Sequence, residues 1–226
     1  MRSVCVGFAL AALLIGECLG AQVTLGARGG VARARQVDRN GPTSLFTGVN
    51  VGAVVVIDYS SWLSFQEEVT YAQKGWRQGD VVVALDYLEI PVLARLAVPV
   101  TGFRGRPDMR LQPFMVAGVT GATLLNCASS VSGSSPETVR NLEEEELIPA
   151  DCSVYPFAGR DFSLLYGVGL SLQVRRRQVT AEVRRTMGIN NLRTGLRAQG
   201  CQCGRGWLIN DVVSVLVGTS FTLPTR

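Results

Sequence analysis

Beyond residue 20, four cysteines are the residues of this chain best suited to covalent chemistry: Cys127, Cys152, Cys201 and Cys203. Residues 1–20 are predicted below to be an export signal, and an even number of cysteines in an exported chain indicates disulfides rather than reduced thiols. We predict a Cys127–Cys152 bridge, whose loop of about 25 residues would add roughly 3 kcal/mol of stability in the chain-entropy model. A bridge within the Cys201–Cys203 pair and a Cys127–Cys201 pairing are the alternatives. A four-thiolate zinc site requires two close cysteine pairs, and Cys127 with Cys152 is not one, so no metal is predicted.

Acidic and basic residues interrupt several otherwise apolar segments. Five of them fall on the side of these segments that carries small residues: Glu68, Glu89, Arg95, Glu182 and Arg184. Because an isolated buried charge is costly, acids and bases that share an enclosed space are expected to pair. The pattern favours a structural charge network, with a proton or ion relay as the alternative.

Residues for catalysis are scarce. The chain has no histidine, the side chain that most often acts as a general base near neutral pH. Lys74 is the only lysine, which restricts serine–lysine chemistry to one position. A pair such as Glu68 and Glu89 could hydrolyse glycosides, but the pattern indicates no substrate cleft. The sequence therefore predicts a protein that is not an enzyme and that needs no cofactor.

Charge is otherwise modest and scattered. The formal net charge is +4, and the densest basic run is at 175–177. Nucleic-acid-binding surfaces usually concentrate basic residues and interleave them with aromatic ones, so we predict no nucleic-acid partner. We interpret the acidic run at 143–146 as a solvated loop segment. Divalent-cation binding that bridges to lipopolysaccharide or a partner is the alternative.

The elements that must position these residues are β-strands with two unlike faces. Side chains of a strand alternate between its faces, and in segment 161–173 one face carries aliphatic and aromatic residues while the other is mostly small or polar. Large apolar groups outside and small or polar groups inside are typical of a barrel that faces lipid. Most candidate strands are close to the roughly 9–11 residues that a tilted strand needs to cross a bilayer. The eight candidates are 23–32, 48–58, 63–73, 83–98, 111–121, 161–173, 179–188 and 211–223.

Long and short connections mostly alternate between these segments, as the outer loops and inner turns of a membrane barrel do. The longer ones are 33–47, 74–82, 122–160 and 189–210, and the shorter ones are 59–62, 99–110 and 174–178. A spanning sheet has to close on itself, and eight strands enclose a lumen that side chains can fill. We therefore predict an all-β fold, an eight-stranded antiparallel up-and-down transmembrane β-barrel that is monomeric and has no broad pore. A secreted lipocalin-like binder, with its large apolar side chains turned inward, is the alternative.

Aromatic residues occupy positions that suit a membrane interface. Trp62 falls at a turn, Trp76 and Trp207 in or beside longer connections, and Tyr71 near the end of its segment. Aromatic girdles at both interfaces are typical of membrane barrels. The alternative is that these rings cover a soluble core.

The first 20 residues have the layout of a secretory signal peptide. Arg2 supplies a positive charge, segment 4–15 is apolar, and small residues lie at 18 and 20. The apolar core is too short to span a bilayer comfortably as a helix. We predict cleavage after Gly20, which leaves 21–226 as one barrel domain exported to a bacterial outer membrane. A lipoprotein attached through Cys18 is the alternative, disfavoured by Glu17 immediately before it.

Four short motifs occur in order along the chain. They are EEVTYAQKG at 67–75, YLEIPV at 87–92, PFMVAG at 113–118, and DF at 161–162 followed by GVG at 167–169. In sequence and spacing they resemble the porin-like outer-membrane β-barrel family of PorT type, in which YLEIP is the most specific segment. The resemblance covers about residues 23–223.

The resemblance implies an integral outer-membrane barrel with a structural or interaction role. That role would be envelope integrity, surface adhesion, or a part in a secretion or gliding assembly. Its partners would be outer-membrane lipid and envelope or secretion-system proteins. A narrow porin-like channel for small solutes or ions is the alternative.

Two local features test the predicted strands. The resemblance implies that Pro91 is tolerated inside a strand, and because proline removes a ladder donor, we predict a bulge or an unpaired position there. Glu67 and Arg185 fall on the lipid-facing side. Basic charges cost about 2–4 kcal/mol at mid-bilayer and acidic ones less, so both residues are expected near the interfaces.

Overall fold

The computed structural model describes residues 22–38, 41–78, 81–98, 109–131, 159–175, 177–192 and 208–224. Within these ranges, eight long strands form the wall of an antiparallel barrel. They are β1 (Gln22–Asp38), β2 (Phe46–Asp58), β3 (Leu63–Gln78), β4 (Val81–Ala97), β5 (Met109–Val131), β6 (Arg160–Val174), β7 (Arg177–Gly188) and β8 (Ile209–Thr222). A two-residue strand, Gly41–Pro42, pairs with the end of β1. The described residues include no helix that is long and apolar enough to cross a membrane.

Each long strand pairs with its neighbours in chain order, and the last one returns to the first. The closing ladder between β1 and β8 runs from Thr24↔Thr222 to Val37↔Ile209. Closure satisfies the backbone hydrogen bonds of both edge strands, which would otherwise be exposed. The predicted eight-stranded, all-antiparallel barrel is confirmed.

The barrel has two unlike ends. At the turn end, residues 59–62 join β2 to β3, and residues 175–176 join β6 to β7. Arg175 has φ 57° in the second of these turns, in the left-handed region that two-residue hairpin turns use. By chain position, the 98–108 connection also lies at this end, whereas the two longest connections leave from the opposite, loop end.

The outer wall is apolar, and the lumen holds small and polar side chains. In β6, Phe162, Leu164 and Val168 are each at least half exposed on the outside, whereas Ser163 and Leu165 are buried inside. The two-faced pattern of segment 161–173 is therefore confirmed. The inverse arrangement expected of a lipocalin-like binder is excluded.

Pro91 lies inside β4, and the strand adapts to it on one side only. The β3–β4 ladder passes from Glu67↔Val92 to Thr70↔Glu89 without the two pairs between them. On the other side, Pro91 still pairs with Thr120 of β5. The predicted unpaired position at this proline is confirmed.

Three strands extend well past their predicted C-terminal limits. β1 continues to Asp38, β3 to Gln78 and β5 to Val131, so the connections predicted at 33–47, 74–82 and 122–160 are too long. Only residues 79–80 separate β3 from β4, and the expected alternation of long and short connections fails there. A strand continues hydrogen bonding past an apolar band without needing an apolar face, so hydropathy does not detect the extension.

Trp76 is one consequence of the longer β3. It lies within the strand and packs against the buried cluster of Val83, Leu85, Tyr87 and Ala122. The prediction that Trp76 lies in or beside a connection, as part of an interfacial girdle, is therefore wrong. Trp62 lies at the β2–β3 turn and is 55% exposed, as predicted.

Gly30 allows β1 and β8 to approach closely at the seam where the barrel closes. A Cβ at this position would overlap the backbone carbonyl oxygen of Val215 and lie 2.9 Å from Cα of Leu216, both on β8. At the neighbouring Gly29, the nearest atoms to an added Cβ are 3.8 Å away. The two glycines are thus a matched pair with opposite steric environments.

We expect Gly30→Ala to reduce the free energy of unfolding by about 1–3 kcal/mol, the usual effect of overpacking, because β8 would have to move outward at the seam. Gly29→Ala should be neutral or stabilising by about 0.4–1 kcal/mol, since it restricts the unfolded chain. Urea unfolding of each variant in lipid vesicles checks this. Equal effects of the two substitutions would show that the seam is not tightly packed at Gly30.

Candidate functional site

Four charged residues form a cluster at the middle of the lumen, which we call the central quartet: Arg28, Glu68, Glu182 and Arg184. Nη1 and Nη2 of Arg184 donate 3.1 Å hydrogen bonds to the two carboxylate oxygens of Glu68, and its Nε donates a 2.8 Å bond to Glu182. Arg28 Nη1 lies 3.1 Å from both Glu68 Oε1 and Glu182 Oε2. All four residues are buried. Two positive charges balance two negative ones, which reduces the cost of burial.

The quartet crosses the lumen from wall to wall. Glu68 lies on β3 and Arg184 on β7, four strands apart in a ring of eight and therefore on opposite walls. Gln66, also on β3, donates a further 2.6 Å hydrogen bond to Glu68. Because strand side chains alternate, Gln66 and Glu68 point to the same side. These bonds link opposite walls of the barrel across the middle of the lumen.

A second cluster, the loop-end triad, consists of Lys74, Glu89 and Asp161. Lys74 Nζ lies 2.7 Å from Glu89 Oε1 and 3.0 Å from Asp161 Oδ2. Asn210 donates a 2.9 Å hydrogen bond to the same Asp161 oxygen. The lysine ammonium also lies 4.9 Å from the ring centre of Tyr87, within the range of a cation–π contact. One positive charge therefore serves two buried carboxylates.

β4 has inward side chains along most of the lumen. Those nearest the loop end, Val83, Leu85 and Tyr87, belong to an apolar cluster. Glu89 of the triad follows, and Leu93 and Arg95 lie nearer the turn end. Leu93 packs with Phe114, Val116 and Leu165 in a second apolar cluster nearer the turn end. Apolar packing thus lies on both sides of the charged layers and limits the water that reaches them.

All five charged residues expected in the lumen lie there: Glu68, Glu89, Arg95, Glu182 and Arg184 are buried. Four of them join the quartet or the triad. Arg95 makes no ion pair within the described ranges and stacks instead on the ring of Phe114, 3.8 Å from its centre.

Three partners were not predicted: Arg28, Lys74 and Asp161. Arg28 is in a glycine-rich segment whose two faces are hard to distinguish, and Lys74 lies in a segment that the sequence predicts to be a connection. Asp161 opens the segment 161–173 on the same side as Ser163, so strand alternation alone could have placed it in the lumen.

A third ionic cluster lies on the outer wall near the loop end. Asp211 accepts hydrogen bonds from Arg185 at 2.8 and 3.1 Å and from Arg35 at 2.8 and 3.0 Å. Both arginine side chains are more than one third exposed, whereas Asp211 is 6% exposed. Arg185 is on the outer face, as predicted, and Asp211 provides its counter-charge there.

Asp211→Asn is expected to reduce the free energy of unfolding by about 1–3 kcal/mol, because two arginines on an apolar wall would lose their shared counter-charge. Urea titration in lipid vesicles measures the loss. Arg33→Gln is the matched control, since Arg33 is exposed on the same wall of β1 and should change stability by less than about 0.5 kcal/mol. A loss no larger for Asp211→Asn than for Arg33→Gln would contradict this role.

A closed barrel with an apolar outer wall and an ionic lumen agrees with what the sequence comparison finds. The model of one protein family, described as outer membrane protein beta-barrel domain, matches residues 19–193. The chain belongs to this family. Membership places the protein in the bacterial outer membrane, so the exposed apolar wall faces lipid.

Solved outer-membrane barrels resemble this member of the family in fold. The N-terminal β-barrel domain of Pseudomonas aeruginosa OprF has a TM-score of 0.42 and 10% identity, covering 90% of this chain and 99% of that one. Neisserial surface protein A has a TM-score of 0.45 and 10% identity, covering 88% of this chain and 97% of that one. Ail of Yersinia pestis has a TM-score of 0.39 and 11% identity, covering 88% of this chain and 98% of that one. Comparison with curated proteins gives no significant match.

Several predicted features fall outside the described residues. They include the signal peptide at 1–20, the acidic run at 143–146, and Trp207, Cys152, Cys201 and Cys203. The disulfide pairing and the cleavage after Gly20 therefore stay predictions. Within the described ranges, no group of three or more cysteine, aspartate or glutamate side chains is arranged to hold a metal ion.

Proposed function

We propose that this protein is a sealed outer-membrane barrel whose role is structural or interaction-based rather than transport. The observation that carries the proposal is the pair of hydrogen bonds between Arg184 on β7 and Glu68 on β3. A bidentate pair between opposite walls occupies the path that a solute would take. Opening it would leave buried charges without partners, which is strongly unfavourable.

The contact surface for partners is assigned to the loop end. By chain position, the two longest connections, 132–159 and 189–208, both follow strands that finish at this end. Cys127, near the end of β5, is proposed to pair with Cys152 and so to staple the first of these connections. Envelope integrity, adhesion to a surface, and a place in a secretion or gliding assembly are the roles that such loops would serve in a monomer.

Planar-bilayer recording of the refolded protein tests the seal. We expect no sustained openings, because the quartet and the triad block the lumen in succession. Sustained discrete openings that Glu89→Ala abolishes would refute the sealed barrel and establish the narrow channel instead.

Chemical modification of Lys74 gives an independent test. It is the only lysine of the chain and is 2% exposed in the lumen, so a small amine-reactive reagent should leave it unmodified in the folded barrel and modify it after unfolding. Arg77→Lys adds a reactive control on the exposed loop-end part of the same strand. Rapid modification of Lys74 in the folded protein would contradict the seal.

No catalytic role is proposed, because the buried acids of the lumen are engaged by arginine or lysine and no histidine is available. We also propose that the exported chain begins at Ala21 after signal-peptide cleavage. N-terminal sequencing of the protein purified from outer membranes would read Ala21-Gln22-Val23. A lipid-modified Cys18 as the first residue would establish the lipoprotein alternative.

A further inference from the structure

The lumen opens at the turn end into a polar cavity of about 460 Å³, which we call the turn-end vestibule. Its volume lies within the range of roughly 300–1,000 Å³ typical of small-molecule sites. Most of the side chains that border it carry amides or hydroxyls, among them Thr24, Ser64, Gln112, Gln173, Gln178 and Thr222. In a barrel whose short turns face the periplasm, this cavity lies at the periplasmic end.

Arg95 borders the vestibule at its inner limit and is 4% exposed. It is the one lumen arginine in the described ranges that neither forms an ion pair nor donates a hydrogen bond to another side chain, whereas Arg28 and Arg184 do both. Burial of a guanidinium without a hydrogen-bonded counter-charge is costly. A buried arginine at position 95 therefore costs stability, and a structural role alone does not account for it.

The contact that Arg95 does make leaves its donors available. The guanidinium stacks on Phe114 with its central carbon 3.8 Å from the ring centre. Stacking uses the flat face of the guanidinium, while its N–H groups point outward in its plane. Two parallel N–H groups match the two oxygens of a carboxylate or a phosphate. The stack thus holds a planar fork beside an open polar cavity.

The other charges around the vestibule favour a ligand with one negative charge. Arg95 and Arg110 contribute two positive charges and Asp58 one negative charge. The Asp58 carboxylate already accepts a 2.6 Å hydrogen bond from Ser64. The cavity therefore has a net charge of +1 and neutral walls that suit hydroxyl or amide groups of a ligand.

We propose that the turn-end vestibule binds a small carboxylate-bearing solute of sugar-acid size, anchored by Arg95 with its guanidinium paired to the carboxylate. The amide and hydroxyl side chains of the wall would hold the rest of the ligand. This binding function goes beyond the sealed barrel, and it requires only the cavity below the quartet.

Saturation-transfer NMR on the refolded full chain in detergent micelles tests the site, with glucuronate as the probe and glucose as its neutral counterpart. We expect saturable glucuronate binding and much weaker glucose binding. Arg95→Gln should reduce glucuronate affinity about tenfold or more, the loss expected for a charge-assisted hydrogen-bonded pair. Arg177→Gln is the control, because Arg177 is exposed at the same end of the barrel and does not border the cavity.

Three results would overturn the proposal. They are unchanged glucuronate binding in folded Arg95→Gln, glucose binding as strong as glucuronate binding, and displacement of glucuronate by a lower concentration of inorganic phosphate. The fold of each variant is checked by the change in its gel mobility on heating. Because binding is measured in micelles and does not depend on conductance, failure of this site and failure of the seal are distinguishable.

Discussion

Glu68→Gln is expected to reduce the free energy of unfolding by about 3–5 kcal/mol, the usual effect of removing one partner of a buried ionic cluster. Glu68 is the acid that both arginines of the central quartet share, at 3.1 Å in each case. Without its charge, Arg28 and Arg184 would lie in the lumen with only Glu182 to balance them. Urea unfolding in lipid vesicles, followed by the fluorescence of the three tryptophans, measures the change.

The adjacent residue supplies the control. Glu67 lies on the outer face of β3, next to the half-exposed Phe65 and Val69, so Glu67→Gln removes the same charge from the lipid-facing side and should not destabilise the barrel. A double variant, Glu68→Gln with Arg184→Gln, restores neutrality and should be more stable than Glu68→Gln alone by about 0.5–3 kcal/mol. Equal losses for Glu67→Gln and Glu68→Gln would show that the quartet does not stabilise the lumen.

Strand alternation was sufficient to predict that three charges of the central quartet enter the lumen. Glu68, Glu182 and Arg184 each lie an even number of positions from other inward residues, and that parity holds along a whole strand. The sequence does not predict which acid pairs with which base, because Arg184 and Glu68 are 116 residues apart and meet only once the barrel closes. Which acid faces which base then depends on the register of all eight strands, and no local pattern contains it.

On the outer wall, too, the sequence does not predict which residues form ion pairs. The sequence predicts that Arg185 points outward, but its partner Asp211 also binds Arg35, 176 residues away across the closing seam. Pro91 is the opposite case, since the missing amide hydrogen of proline is a property of one residue. Its unpaired position was therefore predictable without knowing the register.

Lys74 shows what hydropathy cannot detect. The apolar face of its segment ends before Lys74, so the sequence predicts a connection there. In the structure, β3 continues to Gln78. Above the apolar band a strand needs only its backbone ladder and inward partners. Glu89 and Asp161 are those partners, and both come from other strands.

Lys74→Met is therefore expected to have the second large effect. It would leave two buried carboxylates, Glu89 and Asp161, with no cation in contact, where the ammonium now lies 2.7 and 3.0 Å from them. Removing the sole cation of a buried cluster should cost about 3–5 kcal/mol in the free energy of unfolding near pH 7.

Urea titrations of the native chain and Lys74→Met at pH 7 measure the effect, with Arg77→Gln as the control for loss of a positive charge on the same strand. Arg77 is exposed, so its substitution should change stability by less than about 0.5 kcal/mol. A deficit for Lys74→Met no larger than that for Arg77→Gln would show that the charge of Lys74 does not stabilise the barrel. In that case the loop-end triad would contribute by filling space in the lumen, and not by its charges.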